Sequence, residues 1–117
     1  MPHSPEEQEL ADRIRSLIGN CPGVTSRRMF GGTCFMLDGN MVCCSMKPGT
    51  LLLRVGAQNH HEALRRPGVR PMLMGEREMT GFVEVTDDIG NDDDLRGWIE
   101  EGWAFVTSLP AKSQTPN

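Results

Sequence analysis

The segment CFMLDGNMVCC, residues 34–44, constrains this chain more than any other stretch. Asp38 and Gly39 are residue types that tolerate the positive φ angles of a type I′ turn, and they stand between two runs of β-compatible apolar residues. The segment therefore reads as a β-hairpin. With a two-residue turn, Leu37 faces Asn40, Met36 faces Met41, Phe35 faces Val42 and Cys34 faces Cys43. With three loop residues, Cys34 faces Cys44 instead.

Elements on either side fit around this hairpin. Ser4 is placed to cap a helix that Pro5, Glu6 and Glu7 open. Leu10, Ile14, Leu17 and Ile18 then recur at spacings of three and four until Gly19 and Asn20, giving a helix over about residues 5–19. A strand starts at Val24, and LLLRV (51–55) follows a Lys47-Pro48-Gly49 turn. AQNHHEALRRPG (57–68) reads as a short surface helix, with Ala57, Ala63 and Leu64 available for contact. PMLM (71–74) and MTGFVEV (79–85) make a second hairpin around Gly75-Glu76-Arg77, with Gly81 marking a bulge. Asn91 caps a last helix over 92–109, on which Leu95, Trp98, Ile99, Trp103, Val106 and Leu109 form one stripe. The order α-β-β-β-β-α-β-β-α predicts an α+β fold: an antiparallel sheet of five to six strands with three helices. At 117 residues the expectation is a single domain over 1–110 and a disordered tail over 111–117.

Composition excludes some classes. Hydrophobic content of 38% with 24% charged residues is that of a globular domain, and the longest apolar runs fall far short of the roughly 20 residues that span a bilayer. MPHSPEEQEL lacks the basic start and apolar stretch of a secretory signal, so the expected location is cytoplasmic and the four cysteines are expected as reduced thiols in the core. Net charge is −4 but unevenly placed: residues 13–77 hold ten Arg/Lys against three Asp/Glu, and residues 78–117 hold two against nine. Such a basic middle can steer a charged partner. The acids Glu6, Glu7, Asp92, Asp93 and Asp94 read as helix first turns, where negative charge suits the dipole.

No catalytic constellation emerges. His60 and His61 are neighbours on a polar helix, pointing about 100° apart, and read as exposed filler. Cys43-Cys44 matches no zinc or redox spacing. Cys34, Cys43, Met36 and Met41 form a cross-strand quartet of soft sulfur donors if the two-residue register holds, a set suited to Cu(I) or to a thiol sensor. The same residue types also serve as ordinary core fillers. NDDDL lacks EF-hand spacing, and Gly31-Gly32 lacks the lysine and following helix of a phosphate loop. The sequence gives no reason to expect an enzyme or a cofactor, and a small-ligand or soft-metal binding protein built on that sulfur quartet is the alternative expectation.

RRMFGG, residues 27–32, carries the most specific signal. Met29 and Phe30 can anchor a strand end, and Gly31-Gly32 can allow a bulge or close backbone passage. Arg27 and Arg28 alternate across a strand, so at least one reaches solvent, where its planar fork suits a carboxylate or phosphate. RMFGG, a short apolar strand, LDG and a second apolar strand resemble the TfoX N-terminal domain family, also called TfoX/Sxy. The later LLLRV strand, the polar helix ending near V-R-P, the Met-containing hairpin and the Trp-bearing last helix extend the resemblance over about Ile14 to Leu109.

The resemblance implies a small α+β domain grouped with YgaC-like and secretion-chaperone-like folds. In better-known bacterial members it implies a competence regulator acting with the cyclic-AMP receptor protein. Those members carry a second, C-terminal domain, whereas the resemblance here accounts for one, so the expectation is a stand-alone, non-enzymatic adaptor. Its expected partner is a protein, of the transcription machinery among others, met through Arg27, Arg28 and Arg54, as a monomer or homodimer. Direct nucleic-acid binding is a weaker reading: the sequence pI is about 5.3, with no tyrosine and no known nucleic-acid motif.

Overall fold

The computed structural model describes residues 5–29, 32–46, 49–86 and 91–109. Its elements run α1 (Pro5–Ile18), β1 (Val24–Met29), β2 (Gly32–Leu37), β3 (Asn40–Met46), β4 (Thr50–Arg54), a 3-10 turn (Ala57–Asn59), α2 (His60–Leu64), β5 (Val69–Met74), β6 (Arg77–Val85) and α3 (Asp92–Thr107). The six strands form one antiparallel sheet in the order β1-β2-β3-β4-β6-β5, as the α+β reading expects. The Ser4 cap, Phe30, Gly31, the Lys47-Pro48 part of its turn, and residues 110–117 lie outside the described residues.

Helices α1 and α3 lie on one face of the sheet, over β2, β3 and β4, while α2 leans on β5 and β6. Helix α1 buries Leu10, Ala11, Ile14 and Ile18, and α3 buries Leu95, Trp98, Ile99 and Val106. Between them sit Phe35, Leu37, Val42, Cys43, Leu51, Leu53, Val83 and Val85 from the strands. Each large side chain removed from water here is worth about 1.5–3 kcal/mol before entropy is counted, so this layer supplies most of the driving force. Helix α3 starts as its sequence predicts, with the Asn91 side chain accepting from the Asp94 N–H at 2.8 Å. Its Gly102 lets it seat closely: a Cβ there would lie 2.9 Å from Leu53 Cδ1 and 3.2 Å from the Val42 carbonyl oxygen.

The hairpin at residues 34–44 forms, with Asp38 at φ 52° and Gly39 at φ 86°. Its register is a hybrid of the two expected ones. Leu37 faces Asn40 and Met36 faces Met41, but the ladder then slips, and Phe35 faces Cys43 and Cys34 faces Cys44. Val42 is the extra residue of a β-bulge, so Val42 and Cys43 both enter the helix-side core. One consequence is a correction: Cys34 and Cys44, brought opposite on the same face, are joined in a disulfide, where four reduced thiols were expected. Cys21 and Cys43 are the free cysteines.

The opposite face carries its own small core of Cys34, Met36, Met41, Cys44, Leu52 and Met72, flanked by Met46, Met79 and Phe82. The β5–β6 hairpin closes through Gly75 at φ 64°, and β6 bulges where Gly81 takes φ 91°. Pro71 sits on β5, an edge strand, where its missing N–H costs no ladder bond.

Candidate interaction surface

The edge strand β1 presents Thr25, Ser26, Arg27 and Arg28 to solvent. Pairing fixes which way each points. Ser26 and Arg28 lie opposite Phe35 and Thr33 and so share the helix-side face; Thr25 and Arg27 lie opposite Met36 and Cys34 and share the other. The two arginines therefore do different things.

Arg28 reaches inward. Its guanidinium donates to Thr33 Oγ1 at 2.7 Å and to Glu7 Oε1 at 3.5 Å, and Ser45 Oγ donates to Glu7 Oε2 at 2.6 Å. The Thr33 hydroxyl lies 3.3 Å from the same carboxylate oxygen. Glu7 is fully buried while about half of the Arg28 side chain remains exposed. A carboxylate in such a place is tolerable only with donors on its oxygens, and β1, β2 and β3 each supply one. Gly32 closes the cluster from below: a Cβ at this position would overlap the Ser45 carbonyl oxygen, so the strands can come together there only around a glycine. Glu7 thus anchors α1 to the sheet rather than dressing a helix end, as its place in the first turn suggests.

Arg27 is exposed, on the face and in the row of Cys34. Arg54 is elsewhere. Its guanidinium carbon stands 5.5 Å from the ring centres of both Phe82 and Phe105, so the cation is held between two aromatic faces at the far end of β4. The three arginines anticipated as one contact surface are therefore not gathered in one place.

Nor does the basic middle of the chain stand as a charged field. Arg13 pairs with Asp92, Arg15 with Asp12, Arg28 with Glu7, Arg66 with Glu101 and Arg70 with Glu84. The acids of the two ends fold back onto the arginines between them, and Arg66 additionally lies 4.8 Å from the Trp98 ring centre. Glu84 is held below the usual carboxylate range: burial pushes its carboxyl up, but hydrogen bonds from Arg70 and Thr50 and the Arg70 charge outweigh it.

His60 is another correction. It is buried rather than exposed, with Nδ1 accepting from the Gly81 N–H at 3.0 Å and Nε2 2.6 Å from Glu78 Oε2. Because Nδ1 accepts, Nε2 carries the proton and donates it to Glu78. Both nitrogens are spent, so this His–Glu pair is a latch between α2 and β6, not a base open to substrate. Cys43 is likewise sealed, burial pushing its thiol up to about 12.

Glu7, Thr33, Ser45 and His60 are the residues whose roles sequence reasoning missed, while Cys44 was reached only as the partner of Cys34 in the three-residue register. For Glu7 a signal existed: it shares the three-and-four spacing of Ala11, Ile14 and Ile18. Thr33, Ser45 and His60 carry no such mark.

A family model described as the TfoX N-terminal domain matches residues 16–106, the span that contains β1 to β6 and nearly all of α3. The chain belongs to the TfoX N-terminal domain family. Comparison with curated proteins and with solved structures gives no match. In this TfoX N-terminal domain the family match covers Arg28, Thr33 and Ser45, while Glu7, their common partner, precedes it on α1. A cleft of about 280 Å³ opens between the C-terminal end of α1 and the middle of α3, lined by Leu17, Ile18, Cys21, Arg96, Ile99 and Trp103 among others. Among the described residues no group of three or more His, Cys, Asp or Glu is placed to hold a metal ion, and no helix is long and apolar enough to cross a membrane.

Proposed function

We propose that this TfoX N-terminal domain is a non-enzymatic adaptor that acts by protein–protein contact in transcription regulation, with the β1 edge as its contact strip. Family membership supports the regulatory class. The observation that carries the surface is the division of labour on β1: Arg28 is committed to Glu7 and Thr33, while Arg27 is exposed on a strand that ends the sheet. Such an edge offers unpaired backbone groups to an extended segment, and Arg27 favours a segment with a carboxylate beside it.

The test is a paired capture from bacterial lysate with tagged wild type and Arg27→Glu, read by mass spectrometry. Arg28 is left in place because reversing it would set a second carboxylate against Glu7 and confound binding with folding. Transcription factors or polymerase subunits retained by wild type and lost from Arg27→Glu are the expected result. Equal retention by both removes the β1 edge from the account, and no retained regulator removes the adaptor.

A further inference from the structure

The two cores of this domain differ in one respect that packing alone does not require. Of the six buried hydrophobic residues on the second face, Cys34, Met36, Met41, Cys44 and Met72 carry sulfur, and Leu52 is the exception. The larger helix-side core contains no methionine among the described residues. Were methionine serving only as an adaptable filler, both faces would draw on it. The sulfurs also converge: Cys34 and Cys44 are bonded across β2 and β3, and Cys44 Sγ lies 3.4 Å from Met41 Sδ. The bulge at Val42 causes this convergence, since it turns Cys44 rather than Cys43 onto the face of Cys34, Met36 and Met41.

We propose that Cys34, Cys44 and Met41 form, once the disulfide is reduced, a binding site for one Cu(I) ion, and that the disulfide is the closed state of that site. A dithiol reductant supplies two electrons and two protons; the Cys34–Cys44 bond breaks to two thiols, and the reductant leaves as its own disulfide. On binding Cu(I), both thiols release their protons to solvent, giving two thiolates and one thioether around a monovalent ion with a net charge of −1. Two thiolates with a thioether are a soft set that selects Cu(I), whereas zinc sites use thiolate, imidazole and carboxylate. Arg27 stands directly across from Cys34 on the same face, at the about 4.5–5.5 Å Cβ separation of strand partners, and offsets that negative charge. Entry runs past Met36 and Met41, which keep 9% and 7% of their surface exposed.

The test is competition for Cu(I) against bicinchoninate under nitrogen. Protein reduced with a phosphine and then freed of it is compared with the same protein oxidised by diamide. The reduced chain is expected to strip one equivalent from the chelator and the oxidised chain none, a comparison that needs no variant to fold. Met41→Leu, close in volume, should weaken competition about tenfold or more, and Arg27→Gln by about tenfold. Cys43→Ser should compete as wild type does. Failure of the reduced chain to compete overturns the proposal. Equal competition by the oxidised chain, or by Cys34→Ser/Cys44→Ser, overturns it too, since the copper would then lie on other groups.

Discussion

Glu7 sits in the first turn of α1, yet its carboxylate is fully buried and takes hydrogen bonds from Arg28 and Ser45. Removing one donor leaves a buried charged acceptor short of a partner, which costs the desolvation of that group rather than one average hydrogen bond. Ser45→Ala is therefore expected to lower unfolding free energy by about 1–3 kcal/mol. Urea denaturation checks it, and a loss within experimental error would mean that Glu7 is held by its other donors. At this scale the sequence was only partly legible. Asp38 and Gly39 announced their own φ angles, because a two-residue turn between apolar runs has few solutions. His60 did not announce its burial, because its partners, the Gly81 N–H and Glu78, come from a strand about twenty residues away.

Elements were easier to read than their registers. The long stripe of α3 and the breakers around each hairpin marked helix and strand, and the element order follows from them. The bulge at Val42 was not legible, since Met41, Val42, Cys43 and Cys44 are all apolar and nothing in their pattern says which one is extra. Which face received Cys44, and with it the disulfide, was decided by how the strands pack. Seating of α3 leads to a signed pair of predictions. Gly97 has nothing within 4 Å of where a Cβ would lie, so Gly97→Ala should stabilise the domain by about 0.5–1 kcal/mol through helix propensity. Gly102 faces Leu53 and the Val42 and Arg54 carbonyl oxygens, so Gly102→Val should cost about 1–3 kcal/mol by overpacking. Thermal unfolding of both variants measures the contrast, and a shift of the same sign in both would contradict this seating of α3.

The row that ties β4, β6 and β5 together is sensitive to acid. Thr50 donates to Glu84 at 2.6 Å and Arg70 at 2.9 Å. With the Glu84 pKa lowered in the folded state, its stabilisation is complete above the unfolded carboxyl value and is lost as pH falls through the folded one. Wild type should thus exceed Glu84→Gln in urea midpoint near neutrality, and the gap should begin to close as pH falls below the unfolded carboxyl value of about 4.3, vanishing only beneath the folded one. A gap that stays constant into acid would mean that Glu84 contributes through packing alone.

For the whole molecule, the lesson concerns charge. The run of basic residues between acidic ends suggested a steering field, but three-dimensional pairing of Arg13, Arg66 and Arg70 with Asp92, Glu101 and Glu84 disperses it. Linear charge density does not reveal this, because the partners are separated by up to 79 positions. The family and the α+β architecture were legible from RMFGG, LDG and the element order, as was the alternation of Arg27 and Arg28, whereas which of the two turns inward needed the sheet. That assignment is the central claim, and comparing the unfolding of Arg27→Glu with that of Arg28→Glu tests it most directly. Arg28→Glu should lose about 2 kcal/mol or more, a buried pair's about 3–5 being discounted because half of Arg28 lies in solvent. Arg27→Glu should unfold within about 0.5 kcal/mol of wild type. Equal losses, or a larger loss at Arg27, would contradict the assignment of Arg28 to the fold and Arg27 to the surface.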